Sequence, residues 1–210
     1  EGKNPAVKAK VIWQHTISSG GGEVVGTPAI SGNELRVPVK GTFGNALVAI
    51  CDAADKVLWS YHIWVSESED IPYKNDVAGE YKMMDRNLGA LSTKLKDQNS
   101  YGCFYQWGRK DPFPRPVPVT RPTAADKYKN PDVELTPNTA ATEETGTIGY
   151  NLSHPDTRLL DASSWYKAGM PEGLWGNPEG NENGGKGVKT IYDPCPEGYR
   201  VADPMCYSMD

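Results

Sequence analysis

The sequence lacks the features that mark membrane-spanning and nucleic-acid-binding proteins. No apolar run reaches the roughly 18 residues that a membrane-spanning helix needs. Lys and Arg form no cluster, the formal net charge is −5, and the densest run of charges, at residues 67–70, is acidic. Because phosphate binding requires a basic surface, we expect no nucleic-acid partner. Because no apolar run is long enough, we expect no membrane span in this chain.

The chain also lacks the short motifs of several enzyme classes. It contains no GxSxG sequence, and residues 108–112 (GRKDP) do not have the spacing of a phosphate-binding loop. Its carboxylates show no pattern typical of an acid–base pair, and Asp193, between a tyrosine and a proline, is typical of a turn. The sequence therefore predicts no catalytic residue and no enzymatic activity.

Cysteine and histidine are scarce and scattered. The four cysteines contain no CxxC pair, and the three histidines lie far from them in sequence, which argues against a zinc site and a thioredoxin-like site. Four cysteines allow three disulfide connectivities, and all four thiols could also be reduced. The sequence leaves these alternatives open for Cys51, Cys103, Cys195 and Cys206.

Glycine and proline, by contrast, are abundant. The 210 residues include 22 Gly and 17 Pro, 38% are hydrophobic, and the mean hydropathy is −0.59. This composition is typical of a loop-rich protein with short strands rather than a helical bundle. We predict a mainly β or α+β fold, in one large domain or two small ones.

The first part of the chain reads as strands. Residues 1–66 show short β-prone runs between Gly, Pro and Asn, which predict an antiparallel, sandwich-like part. The clearest element is a hairpin of 46–51 and 57–65. In its second strand the odd-numbered residues from Val57 to Val65 are expected to face the core. His62 and Trp64 lie on the other face, either exposed or covered by a neighbouring domain.

The acidic, turn-rich residues 67–80 are predicted to form a linker, and residues 81–210 a second domain with short helices and long loops. Ser100 and the aromatic spacing that follows predict a two-turn helix over 100–107, ended by Gly108. So short a helix needs buried aromatics. Beyond it, the proline-rich residues 109–119 are expected to form an extended surface loop. The predicted core side chains are Trp59, Tyr101, Phe104 and Trp107.

One polar loop is a candidate binding site. Residues 174–187 place a series of side-chain oxygens after a tryptophan. Calcium prefers six to eight oxygen ligands and an indole face suits a sugar ring, so the loop could bind calcium or a glycan. A flexible Gly/Asn loop without any ligand explains the same residues. The candidate ligand-binding residues are Trp165, Trp175, Asn177, Glu179, Asn181, Glu182 and Asn183.

Five motifs follow one another along the chain: GNALVAICDAADKVLWSYHIWV, YKMMDRNLGA, YGCFYQWGRKDPFP, LWGNP and KTIYDPCPEGYRVAD. In this order they resemble the Fibrobacter-type major paralogous domain as it occurs in fimbrillin-like surface proteins of Bacteroidales. The resemblance implies a C-type-lectin-like fold, related in architecture to the formylglycine-generating enzymes, with 100–107 as its first helix. It also implies export to the cell surface or outer membrane, with a signal or leader that is absent from this chain.

The chain departs from this pattern in two ways. It ends seven residues after Asp203, where similar sequences continue into a second helix and closing strands, so we expect a shortened or C-terminally incomplete domain. Cys51 and Cys103 stand where similar sequences usually carry an aliphatic or basic residue, which favours local disulfides in an exported protein. The resemblance favours pairing of Cys103 with Cys206 or Cys195. It carries over no catalytic residue.

Three functions are consistent with these observations. The first is an adhesin-like or fimbria-associated surface protein, such as a fimbrial tip protein, that binds host or microbial ligands. The second is a carbohydrate-binding protein for glycan capture, in which Trp165 and Trp175 would face solvent. The third is a structural pilus subunit that adds strands to its neighbours and has no ligand site.

Overall fold

The computed structural model describes residues 5–16, 22–75, 79–114, 133, 138–160, 165–167, 169, 173–176 and 188–202. These residues form a mainly β structure with antiparallel sheets, which confirms the predicted fold class. The strands are β1 (Lys8–Thr16), β2 (Ala29–Ser31), β3 (Glu34–Arg36), β4 (Gly44–Cys51), β5 (Val57–Val65), β6 (Asp70–Asn75), β7 (Gly79–Met84), β8 (Thr139–Ala140) and β9 (Leu159–Leu160). The helical elements are a 3-10 turn at Gln98–Ser100 and the α-helix α1 (Ile148–Ser153).

The predicted hairpin is confirmed as β4 and β5, which form an antiparallel sheet with β1. Strand β4 lies in the middle of this sheet. The buried carboxylate of Asp52 closes the turn between β4 and β5, because it accepts hydrogen bonds from the main-chain N–H groups of Ala54 (2.9 Å) and Lys56 (3.0 Å). Asp55 completes the turn with a φ of 64°, a left-handed conformation that aspartate tolerates.

One face of the sheet carries the first hydrophobic cluster. Ala46 and Val48 of β4 pack against Val24 and Val25, and β3 adds a partly buried leucine. The Gln14 side chain on β1 holds these valines in place by accepting from their main-chain N–H groups at 2.8 and 3.0 Å. In the described residues the covering layer is the β2–β3 hairpin rather than a full second sheet, so the sandwich-like arrangement of residues 1–66 stays a prediction.

The opposite face of the sheet is covered by residues 87–111. The Asn45 side chain donates to the Gly89 carbonyl at 2.8 Å, and the Trp64 indole donates to the Ala90 carbonyl at 3.1 Å. Trp64 is therefore covered by the second part of the chain, which was one of the two alternatives left open by the sequence. The division into domains at residues 67–80 stays a prediction.

An irregularity in the register of β4 and β5 changes the face pattern of β5. Ile50 pairs with Trp59, whereas the next residue, Cys51, pairs with Val57. The shift moves Val57 to the other face, where it packs with Ala49 and Cys51. A bulge of this kind interrupts the two-residue alternation from which side-chain direction was predicted.

The prediction that the odd-numbered residues of β5 face the core holds for some of the remaining residues and not for others. Ile63 and Val65 pack on the first hydrophobic cluster, as predicted. Trp59 is only partly buried, and the Tyr61 side chain is 42% exposed, so the core prediction is wrong for Tyr61.

Residues 70–75 and 79–84, most of which were predicted to be linker, form the two strands of a β-hairpin. Strands β6 and β7 pair antiparallel, and a salt bridge of 2.8 Å joins Lys82 to Asp70 across them. The Tyr199 hydroxyl also donates to Asp70, which ties this hairpin to the C-terminal part of the described chain. Both strands carry exposed, charged residues. Their sequence therefore lacks the alternation of apolar and polar residues from which a strand is predicted.

The predicted helix over 100–107 is absent, and this prediction is wrong. A 3-10 turn ends at Ser100, and the chain then extends to an isolated bridge between Phe104 and Phe113. Gly102, inside the predicted helix, adopts a φ of 76°, which a right-handed helix excludes, whereas the φ of 81° at Gly108 is one that a glycine just after a helix also adopts. The left-handed conformation of Gly102 therefore excludes a continuous helix, although the aromatic spacing resembles one.

The second hydrophobic cluster lies in the C-terminal half. Ala141, Leu159, Trp165 and Leu174 form it, beside the parallel pair β8 and β9 and helix α1. Thr147 caps α1 by accepting from the Tyr150 N–H at 3.1 Å. The sequence did not predict this helix. No helix in the described ranges is long and apolar enough to cross a membrane.

Candidate functional site

A hydrogen-bonded chain runs from the second half of the protein into the sheet. The Tyr105 hydroxyl lies 3.4 Å from His62 Nδ1, and His62 Nε2 lies 2.9 Å from the Asn45 side-chain oxygen. Because the Asn45 amide nitrogen donates to the Gly89 carbonyl, His62 is assigned as the Nε2–H tautomer, with Nδ1 accepting from Tyr105. Burial lowers the pKa of His62 to about 4, so the ring is neutral near pH 7.

A serine, a lysine and an aspartate meet at β5. The Lys110 ammonium donates to the Ser60 hydroxyl (2.6 Å), to the Ser60 carbonyl (2.8 Å) and to Asp111 (2.6 Å). The Ser60 hydroxyl also lies 2.7 Å from Asp111 and is buried. Burial lowers the pKa of Lys110, and the Asp111 charge opposes that shift. With all three ammonium protons donated, Lys110 acts as a charged structural bridge rather than as a base for Ser60.

Arg109 is a buried hub that holds the loop after α1. Its guanidinium donates to the main-chain carbonyls of His154 (3.2 Å), Pro155 (3.3 Å) and Thr157 (2.7 Å), and to the Gln106 side chain (2.9 Å). Burial lowers the pKa of Arg109 to about 10, which leaves it charged at neutral pH. The residues just after Gly108 therefore organise the interior, so the surface-loop prediction is wrong over residues 109–114.

Two tryptophans fix the main chain of residues 107–109. The Trp165 indole donates to the Trp107 carbonyl at 2.6 Å, and the Trp175 indole donates to the Arg109 carbonyl at 2.9 Å. The rings of Trp175 and Trp107 also lie 6.1 Å apart, which holds the Trp107 side chain against a rigid neighbour.

Three of the four aromatic side chains in the aromatic segment, residues 101–107, are exposed rather than buried. Tyr101 is 56% exposed, Phe104 39% and Trp107 49%. The prediction that these three side chains belong to the core is therefore wrong. Without a helix the aromatic side chains do not share one buried face: Tyr105 contacts His62 in the interior, whereas Tyr101, Phe104 and Trp107 are exposed.

The predicted ligand-binding residues are only partly within the described chain. Trp165 is 5% exposed, so the expectation that it faces solvent is wrong, and Trp175 is partly buried. The five polar candidates of the 177–183 loop lie outside the described residues, and so does any calcium site formed by them. Within the described residues, no group of three or more His, Cys, Asp or Glu side chains could hold a metal ion.

One of the two expected disulfide pairings of Cys103 is contradicted by the structure. Cys51 and Cys195 carry free thiols, so neither is joined to Cys103, and the Cys103–Cys195 pairing is wrong. The other favoured pairing involves Cys206, which lies outside the described residues. Burial raises the pKa of Cys51, and it raises the pKa of Cys195 to about 12 with help from Asp193. Both thiols are therefore protonated and weakly nucleophilic at neutral pH.

A polar residue that the sequence did not indicate lies in α1. Asn151 is 6% exposed, and neither atom of its side-chain amide has a hydrogen-bond partner in the described structure. It lines a cleft together with Arg109, Trp165 and Tyr192. The sequence motifs contain Arg109 and Tyr192, but they do not place these residues beside Asn151, because the cleft joins segments that are distant in sequence.

Comparisons of the chain with protein-family models, with curated proteins and with solved structures find no match. The resemblance to the Fibrobacter-type major paralogous domain and the C-type-lectin-like fold therefore stay predictions.

Proposed function

We propose that the protein is an exported, adhesin-like or fimbria-associated surface protein that binds its ligand through the aromatic segment. The observation that carries this proposal is the exposure of Tyr101, Phe104 and Trp107 within seven residues. Large aromatic side chains are enriched at binding surfaces, and exposing them to water forgoes the free energy of their burial. A segment that leaves three of them exposed is suited to a ligand that covers them.

The contacts that restrain Trp107 also support the proposed binding role. Its carbonyl accepts from the buried Trp165, and its ring lies beside Trp175, so the side chain is restrained before any ligand arrives. A restrained aromatic loses less conformational entropy on binding than a mobile one. This pre-organisation favours a recognition role for Trp107.

The chemistry of the described residues supports binding rather than catalysis. Ser60 is buried and its neighbour Lys110 is fully engaged as a hydrogen-bond donor. The thiols of Cys51 and Cys195 have raised pKa values, which disfavours a thiolate mechanism of the formylglycine-generating type. We therefore assign no catalytic role to these four residues.

Surface binding assays with purified protein test the proposal. Biotin-labelled wild-type protein is applied to epithelial cells, to immobilised mucin and to immobilised fibronectin. Trp107→Ala should reduce binding about tenfold, since truncating a central aromatic of an interface commonly costs more than 1 kcal/mol. Leu95→Ala is the matched control, because Leu95 is 90% exposed and lies outside the aromatic segment.

The cell provides the second test. Antibody labelling of intact cells should detect the protein at the surface, and deletion of its coding sequence should weaken attachment. The proposal would be abandoned if wild-type protein bound none of these surfaces and the deletion left fimbriae and attachment unchanged.

A further inference from the structure

The hairpin of β6 and β7 is a sheet of only two strands. Among the described residues these strands pair with each other and with no other strand. No main-chain hydrogen bond from another segment reaches residues 79–84 within the described ranges. A two-stranded sheet is marginally stable in water, and each of its edges presents N–H and C=O groups that a further strand can pair with.

The hydrogen-bond register shows which main-chain groups of β7 face outward. The Asp85 N–H donates to the Glu69 carbonyl at 3.2 Å, so these residues form a hydrogen-bonded pair just beyond the strand ends. Because such pairs alternate along an antiparallel ladder, the odd-numbered residues of β7 bond to β6 and the even-numbered residues point away from it. Glu80 and Lys82 therefore present their main-chain N–H and C=O groups at the outer edge of β7.

A proline closes the outer edge of β6. Pro72 pairs with Lys82, so by the same alternation its main-chain groups face away from β7. Since proline has no N–H, this residue removes the central donor from the edge of β6 without weakening the hairpin. Proline protects edge strands against further pairing, and β7 contains none. The open edge of the hairpin is therefore that of β7.

The charges of β7 are complementary to those of an antiparallel copy of the same strand. The Glu80 carboxylate lies 3.4 Å from the Lys74 ammonium, and the Lys82 ammonium lies 2.8 Å from the Asp70 carboxylate, with all four side chains exposed. A lysine alone at an edge discourages pairing. Here a glutamate lies two residues before the lysine, on the same face, so two antiparallel copies can place opposite charges across from each other.

We propose that the protein forms a homodimer through its β7 strands, which pair antiparallel about Tyr81 and make one continuous four-stranded sheet. Glu80 of each copy lies opposite Lys82 of the other, which gives four main-chain hydrogen bonds and two ion pairs related by the two-fold axis. Two-fold registers centred on Glu80 or on Lys82 are disfavoured, because they place like charges opposite each other. The dimer goes beyond the proposed ligand binding, since Trp107 lies outside the hairpin.

A disulfide at the two-fold axis tests the register. Position 81 lies opposite its own counterpart in a non-hydrogen-bonded pair, with Cα atoms about 4.5 Å apart, a separation that a disulfide spans. Tyr81→Cys should therefore give a disulfide-linked dimer on mild oxidation, seen by non-reducing electrophoresis. Tyr73→Cys is the matched control, because position 73 pairs with 81 in the hairpin but lies on β6, away from the axis. Wild-type protein controls for the native thiols.

Charge reversal tests the ion pairs by sedimentation equilibrium. Glu80→Lys alone and Lys82→Glu alone should each raise the dimer Kd about tenfold or more, because both facing pairs then carry like charges. An equimolar mixture of the two variants restores opposite charges in both pairs. The mixture should therefore dimerise about as tightly as the wild type, although neither variant does so by itself.

The main-chain hydrogen bonds are tested at the same position. Lys82→Pro removes an outward N–H, as Pro72 does on β6, and leaves the bonds between β6 and β7 in place. It should abolish the dimer, whereas Lys82→Ala, which keeps the N–H, should only weaken it. Circular dichroism checks that both variants fold as the wild type does.

Three results would overturn the inference. Wild-type protein that stays monomeric at its highest soluble concentration would leave the β7 edge to a strand of another protein. A dimer whose Kd is unchanged by Glu80→Lys, Lys82→Glu and Lys82→Pro would have its interface elsewhere. Crosslinking through Tyr73→Cys but not through Tyr81→Cys would exclude the proposed register.

Discussion

His62 hydrogen-bonds both to the sheet, at Asn45, and to the second part of the chain, at Tyr105, and its protonation should make the stability of the protein depend on pH. Its two ring nitrogens need opposite partners, the Tyr105 hydroxyl as donor and the Asn45 oxygen as acceptor. Protonation at Nδ1 would place an N–H where Tyr105 donates. The Tyr105 hydroxyl would have to turn and accept from that N–H, and burial disfavours the charged ring, which lowers the pKa of His62 to about 4.

The predicted consequence is a loss of stability in mild acid. The pKa of His62 is lowered in the folded state from its ordinary value near 6.5. As the pH falls below about 6.5, the unfolded chain therefore takes up the proton first, and the free energy of unfolding decreases until about pH 4. The loss should be on the order of 3 kcal/mol at most.

Urea unfolding at half-unit steps from pH 7.5 to pH 4 measures this dependence. His62→Gln keeps an N–H donor toward Asn45 and removes the titrating group, so its curve supplies the baseline from the carboxylates. Equal slopes for wild type and His62→Gln would show that His62 contributes nothing.

At the scale of elements, glycine has opposite effects in two short segments. Gly149 lies inside α1, and a Cβ added there would meet no atom within 4 Å. Gly102 has a φ of 76°, and its Cβ would collide with the Leu88 carbonyl oxygen. The same substitution should therefore stabilise one element and destabilise the other.

We expect Gly149→Ala to raise the free energy of unfolding by about 0.5–1 kcal/mol, because alanine reduces the backbone entropy of the unfolded helix segment. Gly102→Ala should lower it by roughly 2–3 kcal/mol through backbone strain and the collision. Chemical denaturation of both variants beside wild type is the measurement. A neutral Gly102→Ala would contradict the left-handed conformation at this position.

Elements with a regular pattern and a matching turn could be predicted from the sequence. The β4–β5 hairpin is of this kind, because its β-prone runs flank a turn that Asp52 closes locally. The backbone of residues 100–107 could not be predicted in this way, because aromatic spacing alone does not report the backbone conformation at Gly102. Helix α1 was missed since its six residues depend mainly on tertiary packing.

At the scale of the whole molecule, the sheet and the C-terminal part share buried hydrogen bonds. Asn45 binds Gly89, Trp64 binds Ala90, and Ser60 binds Asp111, each between β4 or β5 and residues 87–111. If the two parts separated, these polar groups would lose their hydrogen-bond partners. Because an unpaired buried polar group is costly, we expect the two parts to unfold together.

We therefore expect a single cooperative transition in differential scanning calorimetry, with equal calorimetric and van't Hoff enthalpies. Asn45→Ala should lower the midpoint of that one transition by about 4 °C or more, because it leaves the Nε2–H of His62 and the Gly89 carbonyl unpaired. Two transitions, one of them insensitive to Asn45→Ala, would instead support independent domains at 1–66 and 81–210.

The sequence by itself determined the features that depend on composition and on neighbours along the chain. The mainly β character followed from the abundance of Gly and Pro and from β-prone runs, and the β4–β5 hairpin followed from local alternation and turn chemistry. The tertiary structure decided the exposure of Tyr101, Phe104 and Trp107, the burial of Arg109 and the burial of the Asn151 amide. The physical reason is that burial and hydrogen-bond pairing at these positions depend on segments 40 or more residues away, whose approach no local pattern records.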